Sequence, residues 1–350
     1  MNAVDSLYIN RLRGASILRV VLGHLGLGWV LLPYSSYIGI FLSVLFFCSG
    51  YIFIYLFYKS PSIKDYLVDR ALGILTPFYI IYLFAIIIYL LLGNSIDNFS
   101  LKYVLQILAV APDIKDMPYP LGQIWYLRVL IFCALISPLF FMLAKKNKYV
   151  LLFPVVIATA FAAIQTGYKF HRNFFYFGHN LLQEILYGAY FFIGSFLYLA
   201  DWRNKKGTIT FFLILCILVS FVTVGLLDLN LNLGYHSYAP NLYYFPLGVA
   251  GILLVLLFSN QLEWCFSNFK YMAKLLDFCS KHSYGIYLNH SFFIVFYEYA
   301  FGLKGVFSSP LLAFIKVVLV VASSLIFAVP ITLLSRKVVN FLKGLRGDKK

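Results

Sequence analysis

The feature that most constrains this chain is a recurrence of apolar windows about 20 residues long, the length an α-helix needs to cross hydrocarbon. A lipid-exposed segment has no water to bond its backbone N–H and C=O groups, so it must satisfy them itself. Such windows fall near 9–31, 37–58, 71–93, 121–144, 149–166, 181–200, 208–227, 241–259, 283–301 and 311–335. The expectation is an all-α, polytopic transmembrane helical bundle of about ten spans. Composition supports it: 62% of residues are hydrophobic and 12% charged. A soluble domain would carry about twice that charged fraction. Residues 1–340 are expected to form one transmembrane domain, and 341–350 a basic cytoplasmic tail.

The charged residues sort by connection. Arg11 and Arg13; Lys59, Lys64 and Arg70; Lys145, Lys146 and Lys148; Arg203, Lys205 and Lys206; Lys270, Lys274 and Lys281; and Arg336, Lys337, Lys343, Arg346, Lys349 and Lys350 all fall on one side. The alternate connections carry only Lys102, Lys115, Lys169, Arg172 and Lys304. By the positive-inside rule both termini are cytoplasmic. The net charge of +15 is spread over these short clusters rather than gathered in one patch, which argues against a nucleic-acid partner. The first apolar run lacks a clear small-residue cleavage site and contains Arg19 and His24, so it reads as a retained span.

The outward connections are longer and aromatic. One, Asn94 to Pro120, holds an amphipathic piece around Leu101–Val110 suited to the membrane interface. Others contain Asn173 to His179, Gly234 to Tyr238, and Tyr243-Tyr244. Rings at headgroup level are ordinary in membrane proteins, and they could also stack on sugars.

Ionisable groups inside apolar sequence are functional-site hypotheses by default. Arg13 and His24 lie 11 positions apart, within about 20° of whole helical turns, so they share a face. Their separation along the axis is about 16 Å. One stripe thus carries a fixed cation and, deeper, a titratable base. The plainer reading makes Arg13 a positive-inside anchor and His24 a bundle-facing hydrogen-bonding residue. Trp125-Tyr126-Leu127-Arg128 places Arg128 about 10 Å below the outer surface, where it could line one cavity with His24. Tyr284, Tyr287 and His290 open the ninth span, with Tyr287 and His290 on one face. Glu184, Asp228 and Glu298 stand near outer ends of spans, and Lys316 is expected to snorkel. Ser49-Gly50 alone reads as close helix packing.

A deep His with cations around it suits group transfer. An imidazole can take a proton from a hydroxyl near neutral pH, and an Arg can stabilise an oxyanion or hold a phosphate. His24 and His290 lack carboxylate partners at metal-ligand spacing, so no metal is expected. Cys48, Cys133, Cys216, Cys265 and Cys279 show no ligand spacing and read as small apolar residues. There is no Walker loop, no GxGxxG before a helix and no GxSxG.

At these residues the sequence resembles the membrane acyltransferase-3 family, the inner-membrane enzymes that O-acylate bacterial surface polysaccharides. Leu12-Arg13-Gly14 followed by His24 is similar to that family's Arg-x10-His signature, and Phe46 to Tyr51 to its Phe-Phe-x-Ser-Gly-Phe/Tyr. Arg70 to Pro77 resembles its Arg-rich segment, Trp125 to Arg128 its Trp-Phe-Leu-Arg, and Ser283 to His290 its late Ser-Tyr-x-x-Tyr-Leu-x-His block. The chain departs at Gly73, where many members have a second Arg, and at Thr76, where many have Pro. Val129 and Leu130 stand where some relatives carry a Glu, which leaves Glu184, Asp228 and Glu298 as acidic candidates.

The resemblance implies transfer of an acyl group, most often acetyl, from acetyl-CoA or another acyl-CoA. It is a co-substrate, with no cofactor bound permanently. The implied acceptor is a hydroxyl of a lipid-linked or nascent polysaccharide such as O-antigen, lipopolysaccharide or capsule. His24 would be the general base and Arg13 would position the donor. Ser49, Arg70, Trp125, Arg128, Tyr284, Tyr287 and His290 would bind donor or substrate. The implied location is the bacterial inner membrane, with membrane lipid around the bundle. A transporter or flippase of a lipid-linked glycan is the alternative, since buried Arg and His along a cavity would serve it too.

Overall fold

The computed structural model describes residues 3–25, 34–91, 101–110, 124–168, 175–176, 179–300 and 309–345. Thirteen α-helices occur among them. They are α1 Ala3–His24, α2 Leu42–Lys59, α3 Ile63–Leu91, α4 Leu101–Leu108, α5 Trp125–Ala144, α6 Phe153–Tyr168, α7 Leu181–Leu199, α8 Lys206–Leu227, α9 Tyr244–Leu257, α10 Ser259–Asn268, α11 Lys270–Lys281, α12 Ser283–Ala300 and α13 Pro310–Leu345. Two-residue strands, Phe175–Tyr176 and His179–Asn180, are the extended elements among the described residues.

A helix overlaps each of the ten expected apolar windows. Among the described residues, seven segments are long and apolar enough to cross a membrane, and α9 with α10, bent by 60°, makes up to eight. Helix α1 falls short because it carries Asp5, Arg11, Arg13 and Arg19. Helix α12 falls short through its tyrosines, Asn289, His290 and Glu298. The chain is thus a multi-pass membrane protein. Helix α8 shows the pattern: Phe211, Leu215, Leu218, Val222 and Leu226 are exposed at helical spacing, while Ile209, Leu213, Ser220 and Thr223 are buried behind them. An apolar face turned outward is what hydrocarbon surroundings permit.

The helices gather into two compact units. The first comprises the described parts of Met1–Tyr66, Val129–Tyr176 and Asn180–Lys281. Its centre is the crossing of α2 and α7. A Cβ on Gly50 would stand 1.8 Å from the Phe191 carbonyl oxygen, and one on Gly194 would stand 2.0 Å from that of Phe47. Only hydrogen at both positions lets the backbones approach this closely. Ser195 Oγ donates to the Gly50 carbonyl at 3.0 Å, and Phe46, Phe47, Tyr187, Phe191 and Phe192 fill the space around the crossing.

The N-terminus of α1 is tied into the same unit. Arg203 donates to Asp5 at 2.6 Å and to Glu263 at 2.7 Å, with its guanidinium 4.8 Å from the Trp202 ring. Partial burial disfavours the cation, but the hydrogen bonds to Glu263 and Asp5 outweigh it and hold Arg203 above its ordinary pKa.

The second unit comprises the described parts of Leu67–Arg128, Phe177–His179 and His282–Lys350. Its framework is α3, α12 and α13. His282 Nδ1 meets Thr332 Oγ1 at 3.0 Å, Asn289 Nδ2 donates to the Ser324 carbonyl at 3.1 Å, and Lys316 Nζ donates to Glu298 at 2.6 Å. These pairs step along α12 and back along α13, so the two helices run antiparallel. Lys316 therefore does not snorkel as expected. It is buried and held by Glu298, a carboxylate on the facing helix within hydrogen-bond reach.

Candidate active site

Arg13 and His24 lie on one unbroken helix, so the shared stripe expected from their spacing is present in α1. Arg13 is half-buried. Its Nη2 donates to the Ser280 carbonyl at 2.8 Å and to Ser280 Oγ at 3.1 Å, and its Nε reaches Ser280 Oγ at 3.3 Å. The neighbouring Gly14 makes this possible. A Cβ there would lie 2.1 Å from the Leu276 carbonyl oxygen, so glycine lets α11 come close enough to place Ser280 under the guanidinium. Two residues earlier, Arg11 pairs with Asp277 of α11 at 3.0 Å. The cation of the signature is thus oriented by a second helix.

His24 is the last residue of α1 and is exposed. Arg19, between the two, donates from Nε to the Ile38 carbonyl at 3.0 Å, which ties the middle of α1 to the 3-10 turn Tyr34–Phe41. The first unit also holds Ser49 and Glu184. The Ser49 hydroxyl donates to the Leu45 carbonyl of its own helix at 2.9 Å, and its neighbour Gly50 forms the close crossing with α7. Glu184 is buried in the first turn of α7.

The second unit holds Arg70, Trp125, Arg128, Tyr284, Tyr287, His290 and Glu298. Tyr126 and Tyr287 bring the start of α5 against α12, with ring centroids 4.9 Å apart. Arg128, half a turn further along α5, is buried, while Trp125 is half-buried. The Tyr287 and His290 rings lie 5.9 Å apart, as their i, i+3 spacing requires. His290 is fully buried, and its Nδ1 stands 2.6 Å from the Tyr287 carbonyl. A carbonyl only accepts, so Nδ1 carries hydrogen, and in the neutral ring Nε2 bears the lone pair. Tyr284 donates to the Ile74 carbonyl at 2.7 Å, in the turn of α3 before Pro77. Arg70 lies one turn before Ile74 on the same helix and is half-buried. Glu298 stands apart from this cluster, accepting from Lys316.

The structure therefore gathers Tyr284, Tyr287 and His290 with the start of α5, and it gathers Arg13 with Ser280. Ser280 has no motif signal of its own and follows only from packing, and Tyr126 stands in the Trp125–Arg128 motif, where the expected site residues are Trp125 and Arg128. The aromatics of the connections expected to face outward divide. Tyr243 and Tyr244 are buried, and Tyr243 donates to the Leu231 carbonyl at 2.8 Å. Tyr235 and Tyr238 remain exposed. Most of the Asn94–Pro120 and Asn173–His179 connections lies outside the described residues, apart from α4 and the two short strands. Among the described residues no group of three His, Cys, Asp or Glu side chains converges.

A family model described as an acyltransferase domain matches residues 6–333. No curated protein and no solved structure matches the chain.

Proposed function

The chain belongs to the acyltransferase-3 family, and from that membership we propose that it is an O-acetyltransferase of the bacterial inner membrane, taking acetyl from cytosolic acetyl-CoA to a hydroxyl of a surface polysaccharide such as O-antigen or capsule. The observation that carries the reading is Arg13 and His24 on one continuous helix, with Arg13 oriented by Ser280. In this reading Arg13 meets the phosphates of the donor, and Arg70 is a second candidate for that role. The pantetheine arm brings the thioester toward His24. The imidazole takes the proton of the sugar hydroxyl as its oxygen attacks the thioester carbonyl. A C–O bond forms, the C–S bond breaks, and the imidazolium returns the proton to the CoA thiolate.

Arg128 and Trp125 shape the acceptor's surroundings, and Tyr287 with the Nε2 of His290 positions the donor or relays protons. Ser49, Tyr284 and the carboxylates Glu184 and Glu298 complete the proposed set.

The test is transfer of labelled acetyl from acetyl-CoA to polysaccharide in membranes carrying wild type or His24→Gln at matched expression. A general base contributes about 10²–10⁴-fold, so alkali-labile label should fall by at least roughly 100-fold in the variant. Full transfer by a well-folded His24→Gln protein would remove His24 from the chemistry. Absence of label with both proteins, and no stabilisation of the purified protein by acetyl-CoA, would favour the transport reading instead.

A further inference from the structure

Helix α10 leaves the direction of α9 through a 60° bend beside Phe258, and α11 follows it. At ten and twelve residues both are too short to span a membrane alone, yet aromatic rings stand exposed along them. Tyr271 is 87% exposed, Trp264 63% and Phe269 56%, with Met272 and Leu275 exposed beside them. Taking 100° per residue, α11 has three sides. Ala273, Leu276 and Ser280 form the buried side that packs on α1. Tyr271, Leu275 and Phe278 form a side turned away from it. Lys270, Lys274 and Lys281 share one edge between these sides, within about 40° of one another.

The two carboxylates of this segment are already engaged: Glu263 holds Arg203 and Asp277 holds Arg11. The exposed charge that remains is positive, since Lys270, Lys274 and Lys281 are all exposed. An apolar stripe with aromatic rings, edged by lysines, suits the plane between headgroups and acyl chains of an anionic membrane.

We propose that α10 and α11 form an interfacial lipid-binding segment, with Trp264, Phe269 and Tyr271 inserted among acyl chains and Lys270, Lys274 and Lys281 on anionic phospholipid headgroups. Helix α11 then presents one side to lipid and the other, through Ser280, to Arg13. The lipid surface would be part of what holds that arginine in place.

The test uses the full chain in nanodiscs of phosphatidylcholine alone or with about one-third phosphatidylglycerol. Quenching by lipids brominated near the headgroup is read as the difference between wild type and Trp264→Phe. Acylation of Lys270, Lys274 and Lys281 by a water-soluble reagent is read by mass spectrometry against the exposed Lys146. The expected result is quenching of the Trp264 signal and at least a threefold fall in labelling of the three lysines when phosphatidylglycerol is present. In the triple variant Lys270→Gln, Lys274→Gln, Lys281→Gln, Trp264 quenching should no longer rise with anionic lipid. An unquenched Trp264, or lysine labelling indifferent to lipid charge, overturns the proposal. Protection that follows protein concentration instead of lipid charge overturns it in favour of a second copy of the chain.

Discussion

The two units hold their chemistry-bearing helices in different ways. In the first, helices meet backbone to backbone: α1 against α11 at Gly14, and α2 against α7 at Gly50 and Gly194. In the second, a Cβ on Gly285 of α12 would also lie 3.0 Å from the Ala328 carbonyl oxygen of α13, but the two helices are joined chiefly by polar side chains: His282 to Thr332, Asn289 to the Ser324 carbonyl, and Lys316 to Glu298. Helices α3, α12 and α13 leave an apolar cavity of about 330 Å³ lined by residues such as Ile81, Phe84, Ala85, Asn289 and Phe293. Without a hydrophobic drive between helices in lipid, both contact types are available, close packing of small residues and polar bonds between helices. Close packing fixes position with little tolerance for added volume. Polar pinning tolerates volume but not the loss of a partner.

The sharpest way to break this contrast is to add volume at the α2–α7 crossing. Gly50→Leu or Gly194→Leu drives carbon into a carbonyl that cannot move without parting the helices. The cost should exceed the roughly 1–3 kcal/mol of ordinary overpacking. Neither variant should survive as a monodisperse peak after detergent extraction. A protein that extracts and melts like wild type would show that the crossing is not as close as described.

The converse attack on the second unit removes a partner. Glu298→Gln leaves the Lys316 ammonium buried without its counter-ion. We expect a loss of up to about 3 kcal/mol, the low end for breaking a buried pair, because Glu298 is itself 30% exposed. Adding Lys316→Met to Glu298→Gln should recover most of the loss in thermal unfolding, since an apolar side chain needs no counter-ion. If the double variant is no more stable than the single one, the pair is not what couples α12 to α13 there. A smaller effect is expected at Gly14→Ala, where a single methyl group is added and meets α11, a helix of twelve residues. A loss of about 2 kcal/mol in unfolding should accompany displacement of Ser280 from Arg13. On the proposed role of Arg13, the variant should raise KM for acetyl-CoA more than it lowers kcat.

Much of this was legible in the chain and some was not, for physical reasons. A 20-residue apolar run in lipid has one backbone solution, so the helices could be read from the sequence. The shared face of Arg13 and His24 follows from helical period alone. Ser280 could not be found this way. It is 267 positions from Arg13, and it matters only because Gly14 admits α11. Lys316 was misjudged because one sequence line does not show that Glu298 lies across from it on an antiparallel neighbour. Helix α1 begins at Ala3, six residues before the apolar window, and Asp5 in that extension is held by Arg203, 198 positions away. The segment carrying Lys270, Lys274 and Lys281 read as a simple connection, yet it is two helices. Neither helix is long enough to give an apolar window of its own.

The finest test of the contrast uses a glycine of the second unit. Gly73 lies inside α3, where many family members carry arginine, and a Cβ there would meet nothing within 4 Å. Its hydrogen therefore enables no contact, unlike those of Gly14, Gly50 and Gly194. What remains is the intrinsic disadvantage of glycine in a helix, about 1 kcal/mol relative to alanine in water. In lipid the unfolded reference stays helical, so the gain should be smaller, about 0.5 kcal/mol or less. Gly73→Ala should leave extraction and transfer unchanged and raise the unfolding midpoint slightly. A destabilised Gly73→Ala protein would mean that another element packs on α3 at that turn. The difference between glycines that hold helices together and one that does not would then lie outside the two units as drawn.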